Sequence, residues 1–220
     1  MQTVIDKTEL APSLRDRALD AAARLFAENG PDGLSMRKVA AAAQCSTMVI
    51  YHHFGDKDGL LNAMYIAGFE RLARAQTAVP DVADPEQLVR ARYLNYRDVA
   101  LESPAFYQVM FGTGAPQFRP DAHARQFARE AYNQFVAAVT AWSRTCELIT
   151  TPRTAAYTLW ASAHGLISFE LSRHGPSVGY KRRYVAALDT LIRGLRAGAI
   201  AGAVEDRNSA TASAKSSAWR

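Results

Sequence analysis

Apolar residues recur three and four positions apart over most of the chain, the period of a helix packed on one side. The first such stretch holds Leu14, Ala18, Ala21, Ala22, Leu25 and Phe26, with Ser13 placed to cap it. It runs into "ENGPDG", where Gly30, Pro31 and Gly33 break a helix. Ser35 is placed to cap a short second helix through about Ala42, and Ser46 a third reaching about His53. Asp56 opens a fourth, "KDGLLNAMYIAGFERLARAQTA", with Leu60, Met64, Ala67 and Leu72 on one face. Asp84-Pro85, Ser103-Pro104 and Thr151-Pro152 each set a capping residue before a proline at the first helical position. They open helices near 85–102, 104–111 and 152–173. A long helix is expected over 120–147, "RHGPSVG" reads as a loop, and Tyr180 to about Ile200 closes the fold. With no alternating strand pattern and no internal repeat, the chain is predicted to be all-α, about nine helices.

Composition narrows the partners only a little. The 220 residues are 49% hydrophobic, ordinary for a globular protein. A net charge of +5 points toward nucleic acid, yet residues 1–61 carry seven basic and eight acidic side chains, so the excess lies beyond them. Bulk charge therefore does not locate a DNA-binding face, and placement within a motif must do so. Cys45 and Cys146 are far apart with no CxxC, which argues against disulfide or zinc frameworks. No apolar run of about eighteen residues predicts a membrane span. The charged start "MQTVIDKTELAPSLRDR" does not read as a signal peptide, so a reducing cytoplasm is the expected home.

The stretch "QCSTMVIYHHFGDKDGLL" carries the candidate chemistry. Helices two and three, joined by a short turn, form a helix-turn-helix candidate, with Ala40, Ala43 and Ile50 where the two must touch. Leu34 and Val39 are expected to face the first helix. Thr47, Met48, Tyr51 and His52 then fall on the outer face of helix three, with His53 at its end. Such a helix enters a major groove with its first turn near base edges. Adjacent histidines point about 100° apart on a helix and cannot both face one metal, so no metal site is expected. The plainer alternative for them is a solvated surface.

These residues resemble the TetR family of transcriptional regulators. "ALDAAARLFAENG" and "GLSMRKVAAAAQCSTMVIYHHFGDKDGLL" carry the likeness, most diagnostically Leu25-Phe26, Gly30, Val39-Ala40, Ser46, Tyr51, His53-Phe54, Lys57 and Leu60. "LWASAHGLISFEL" adds Trp160, His164 and Gly165, similar to the Trp-His-Gly signature of one C-terminal ligand-domain class in that family. The resemblance implies a DNA-binding domain over 13–56 and a ligand-binding and dimerisation domain over 57–200; residues 1–12 are expected to form a flexible arm, and 201–220, which lack apolar periodicity, a disordered tail. It also implies a DNA-facing set of Ser35, Arg37, Ser46, Thr47, Met48, Tyr51, His52, His53 and Lys57. Within it, Tyr51, His53 and Lys57 hold phosphates and Arg37 reaches a base edge, the alternative for Arg37 being a plain surface arginine. The family usually has glycine where Gln44 stands; a left-handed Gln44 would cost roughly 1–2 kcal/mol relative to glycine.

The second half is rich in rings. Tyr93, Tyr96, Met110, Phe111, Phe127, Trp142, Trp160 and His164 are the candidate ligand-binding residues, and ordinary core is the other reading of them. A buried His164 imidazole either orients a ligand or satisfies a backbone carbonyl. Leu159, Ala163, Leu166 and Ile167, with Leu188, Leu191, Ile192 and Leu195, form stripes for a homodimer through the last two helices, or for the core of one chain. The implied function is a repressor that binds a palindromic operator as a homodimer and is released by a small apolar or aromatic effector. No cofactor and no membrane partner are expected. The alternatives are a helical ligand-binding protein that has lost specific DNA binding, and a small helical enzyme. Against the enzyme, the chain lacks GxSxG, HExxH and P-loop motifs.

Overall fold

The computed structural model describes residues 13–79, 82–112, 115–172 and 178–197, which hold nine α-helices and no strand. They are α1 (Leu14–Gly33), α2 (Met36–Ala42), α3 (Thr47–Phe54), α4 (Lys57–Thr77) and α5 (Pro85–Glu102), followed by α6 (Pro104–Met110), α7 (Ala122–Trp142), α8 (Pro152–Leu171) and α9 (Tyr180–Leu195). The arm expected over 1–12, the tail over 201–220 and most of "RHGPSVG" lie outside the described residues.

Local caps start most of these helices. The Ser13, Ser35, Ser46 and Thr151 hydroxyls accept from the amides of Asp16, Lys38, Val49 and Thr154. The Asp56 carboxylate accepts from Gly59 at 2.8 Å, and Asp121 from Ala124 at 2.7 Å. Ser103 differs: its side chain makes no capping bond, and Pro104 alone sets the start of α6. In α1 the expected break falls at Gly30, whose φ of 63° is open to glycine, and Pro31 then begins one further turn.

The chain divides into two compact units, one of Met1–Glu70 with Ser103–Ala128, the other of Arg71–Glu102 with Arg129–Arg220. Packing explains this division. Gly68 of α4 brings α6 so near that an added Cβ would lie 2.5 Å from the Met110 sulfur. The Asn62 side-chain oxygen accepts from the Asp121 amide at 3.0 Å, tying the start of α7 to α4 in the same unit. Phe26, Val39, Ile50, Leu60 and Met64 are buried in this first unit.

In the second unit α5, α8 and α9 pack on one another around Tyr93, Leu159, Ile167, Tyr184, Leu188 and Ile192. The Tyr184 hydroxyl donates to the Tyr93 carbonyl at 2.7 Å. Arg97 of α5 grips Glu170 of α8 through two guanidinium nitrogens, one at 2.9 Å. Arg90 pairs with Glu86 at 2.9 Å and with Asp189, and Arg196 also reaches Glu86. α7 ends at Trp142 rather than near 147. The Ser143 and Thr145 hydroxyls turn back onto the Thr140 and Trp142 carbonyls, and the chain leaves the helix axis. Leu148 then bridges Arg196, with the Ile149 amide on the Leu195 carbonyl and the Ala197 amide on the Glu147 carbonyl, each at 2.9 Å. The same pairing ends α9 at Leu195, short of the expected Ile200, whose position is outside the described residues.

Candidate functional site

The turn between α2 and α3 is held by its own backbone. The Cys45 amide reaches back to the Ala40 carbonyl at 3.0 Å and the Gln44 amide to Ala41 at 3.2 Å, the bonding that closes a helix through a left-handed residue. Gln44 is that residue, with φ 55°, the one non-glycine residue at positive φ among those described. Ala40, Ala43 and Ile50 are buried at the junction, and Phe54 anchors the end of α3. Inward apolar positions therefore fix which face of α3 points out.

That outer face carries Met48, 81% exposed, and Tyr51, 52% exposed, with His52 and His53 also in solvent. Thr47 is half-buried at the first turn, behind the Ser46 cap. Arg37 and Lys38 stand exposed on α2, and Ser35 is half-buried at its start. The two imidazoles meet edge to face with centroids 5.8 Å apart. Among the described residues no group of three or more His, Cys, Asp or Glu is gathered to hold a metal. Lys57 is turned inward: its ammonium donates to the Pro31 carbonyl at 2.6 Å, at the rim of a cleft of about 440 Å³ lined also by Asp32, Asp58 and Phe118. Tyr51, His52 and His53 are thus exposed on α3, whereas Lys57 already holds a protein partner.

The ring-rich residues do not all meet. Tyr93, Tyr96 and Trp160 line one small cavity of the second unit with Gln76, Arg92, Phe135 and Ala163. Trp160 stands among three rings, with centroids 4.9 Å from Tyr96, 5.4 Å from Tyr132 and 5.8 Å from Phe135. Trp142 is fully buried and His164 half-buried in the same unit, and neither lines that cavity. Burial, which disfavours the charged imidazolium, holds the His164 pKa below its ordinary value. Met110, Phe111 and Phe127 belong to the first unit, where Phe111 packs on Tyr107 and Phe69, and Phe127 on His123.

Gln76 and Arg92 were not apparent from periodicity, which treats polar residues as surface. One signal was there: Leu60, Met64, Gly68 and Leu72 step along α4 four apart, and the next step on that ridge is Gln76.

Known proteins agree with this arrangement. Residues 18–64 match the family described as "Bacterial regulatory proteins, tetR family", and residues 89–195 match "Tetracyclin repressor-like, C-terminal domain". The chain belongs to the TetR family of transcriptional regulators. An uncharacterized HTH-type transcriptional regulator of Mycobacterium tuberculosis is 32% identical over 100 residues, 45% of this chain and 48% of the relative. The chain thus spans about half the length of the curated relatives it matches. A Rhodococcus sp. RHA1 protein of unknown function has the same fold, with a TM-score of 0.73 and 24% identity over 87% of this chain and all of that one. AibR, crystallised with isovaleryl coenzyme A and operator DNA, aligns at a TM-score of 0.63 and 19% identity, covering 81% of this chain and 97% of AibR. The matched families are regulators of transcription and not enzymes. No helix of this TetR-family chain, among the described residues, is long and apolar enough to cross a membrane.

Proposed function

We propose that this TetR-family protein is a ligand-controlled repressor, a homodimer that sets two copies of α3 into the major grooves of a palindromic operator. One observation carries the reading. A methionine and a tyrosine stand in solvent on a helix whose opposite face is fully packed, and exposed apolar groups so placed mark a binding surface. Thr47, Met48 and His52 face base edges and Arg37 reaches a further one, while Ser35, Ser46, Tyr51, His53 and Lys57 hold the phosphates. Lys57 serves from within the fold, since its ammonium has donors left after bonding Pro31. DNA as partner makes the cytoplasm its place of work.

The second subunit meets α8 and α9. Leu159, Ala163, Ile167, Leu188, Ile192 and Leu195 of the expected stripes are buried inside one chain. A different ridge, Tyr157, Ala161, Gly165 and Phe169, four apart on α8, runs along its outer side, with Tyr157 66% and Phe169 60% exposed. A Cβ at Gly165 would meet nothing within 4 Å, so a second helix has room to approach there. The effector is small and apolar or aromatic and sits in the second unit at Tyr93, Tyr96 and Trp160. AibR, of like fold, was crystallised with both a ligand and operator DNA, which supports pairing the two activities here.

A gel shift against the DNA upstream of the protein's own gene tests the reading. Retention is expected to fall steeply with salt, because phosphate contacts release counterions. Scrambling one half-site should abolish it. Arg37→Ala should change sequence preference, whereas Tyr51→Phe should weaken all sequences alike. Absence of any shift at low salt would overturn the proposal.

A further inference from the structure

The second-unit cavity has an unusual polar end. Gln76, only 1% exposed, has no hydrogen-bond partner among the described residues for either its side-chain oxygen or its nitrogen. A buried amide left this way is destabilising, so its position asks for a reason. Arg92 lines the same cavity. Its Nη1 donates to the Gln134 carbonyl at 2.5 Å, but its buried Nε has no partner among the described residues. No carboxylate pairs with this guanidinium among the described ion pairs, unlike Arg90, Arg97 and Arg196, which all have one. Desolvation lowers the Arg92 pKa, as it must for a charge drawn out of water with no counter-charge beside it. The remaining walls are Tyr93, Tyr96, Phe135, Trp160 and Ala163.

We propose that this cavity is the polar end of the effector site and takes a small aromatic monocarboxylate, its carboxylate between the Arg92 guanidinium and the Gln76 amide nitrogen, its flat body against Trp160 and Tyr96. The proposal rests on the ligand-controlled reading above and adds the effector's chemistry. A carboxylate supplies the missing counter-charge and accepts from Arg92 and Gln76 together, and the rings offer faces to a flat apolar body. The room among the side chains as they stand is about 10 Å³, one water's worth. An aromatic acid must therefore part the rings to enter, so it binds an opened form in preference to the closed one. Such a difference in affinity is what a ligand needs to shift a conformational equilibrium. Gln76 lies in the last turn of α4, the helix that begins at Lys57, so an opening at Gln76 acts on the helix that carries a phosphate contact.

Calorimetric titration of the full-length protein with benzoate, phenylacetate and indole-3-acetate, each against its neutral amide, tests this without DNA. At least one acid should bind once per chain and at least tenfold more tightly than its amide. Arg92→Met should erase that preference, and Arg92→Lys, which keeps the charge if the methionine variant does not fold, should retain part of it. Gln76→Leu should weaken the acid at least tenfold while leaving the thermal midpoint equal or higher, because it removes an unsatisfied buried amide. A structural role for Gln76 would instead lower that midpoint and spare binding, overturning the proposal. So would failure of all three acids, or equal affinity for acid and amide. Gel shifts with the same compounds separate this from the broader reading. Operator release by a neutral compound, with no acid bound, would leave the regulator standing and overturn the cavity's role. An acid that binds but never alters operator retention would keep the site and overturn the control.

Discussion

The Lys57 ammonium donates to the Pro31 carbonyl at 2.6 Å, joining the first turn of α4 to the short turn that follows the break in α1. The two residues stand on either side of the helix-turn-helix in the sequence, so this bond closes its frame. Lys57→Met should lower stability by about 1–2 kcal/mol through loss of a charged hydrogen bond. It should also weaken all DNA sequences to a similar degree. Urea unfolding and gel shifts of the same variant separate the two effects. Unchanged stability would mean that the bond contributes nothing in solution.

Gln44 occupies a backbone region that favours glycine. Gln44→Gly should stabilise the protein by about 0.5–1 kcal/mol, relief of strain exceeding the added freedom of the unfolded chain. A β-branched Gln44→Val should be worse than the native residue. Denaturant midpoints give the order directly, and a glycine variant less stable than the native chain would contradict it.

Tyr157 and Phe169 mark the outer side of α8. Replacing both with glutamate should turn a particle of twice 24.1 kDa into one of 24.1 kDa by light scattering. Each chain's core should be spared, because neither residue is buried in it. Operator affinity should fall by far more than the small change in contact area, since two linked heads bind one site together. A variant that remains a dimer would place the interface elsewhere.

Burial keeps His164 below its ordinary pKa of 6.5. The folded state therefore takes up a proton less readily than the unfolded one. Stability should be whole above about pH 6.5 and decline as pH falls from there through the folded value. His164→Gln should flatten that decline in urea midpoints measured between about pH 7 and pH 5. An unchanged slope would assign the acid sensitivity to other groups.

Helix starts were readable where the cap is local, as at Ser13, Ser35, Ser46 and Thr151, because the capping oxygen and its amide lie three residues apart. The outer face of α3 followed from Ile50 and Phe54 facing in, which leaves Met48 and Tyr51 facing out. The end of α7 was not readable, since its stop depends on Leu148 meeting Arg196, a contact made only when the chain has folded. Apolar spacing on α8 also left two faces to choose from. Leu159, Ala163 and Ile167 went to the core, and the outward ridge was found only once burial was known. Tyr93, Tyr96 and Trp160 stood out as rings, but Gln76 and Arg92 became notable only through what their polar atoms lack.

The short ladder at Leu148 and Arg196 ties the end of α9 to the segment that follows α7. A stop codon after Ala197 would leave the Ala197–Glu147 and Ile149–Leu195 bonds whole. One placed just before Leu195 would strip both, along with the Arg196 guanidinium from Glu86 and a buried leucine from the end of α9. A chain ending at Gly194 should thus be far less stable than one ending at Ala197, and the difference between those two truncations would show as a step rather than a slope.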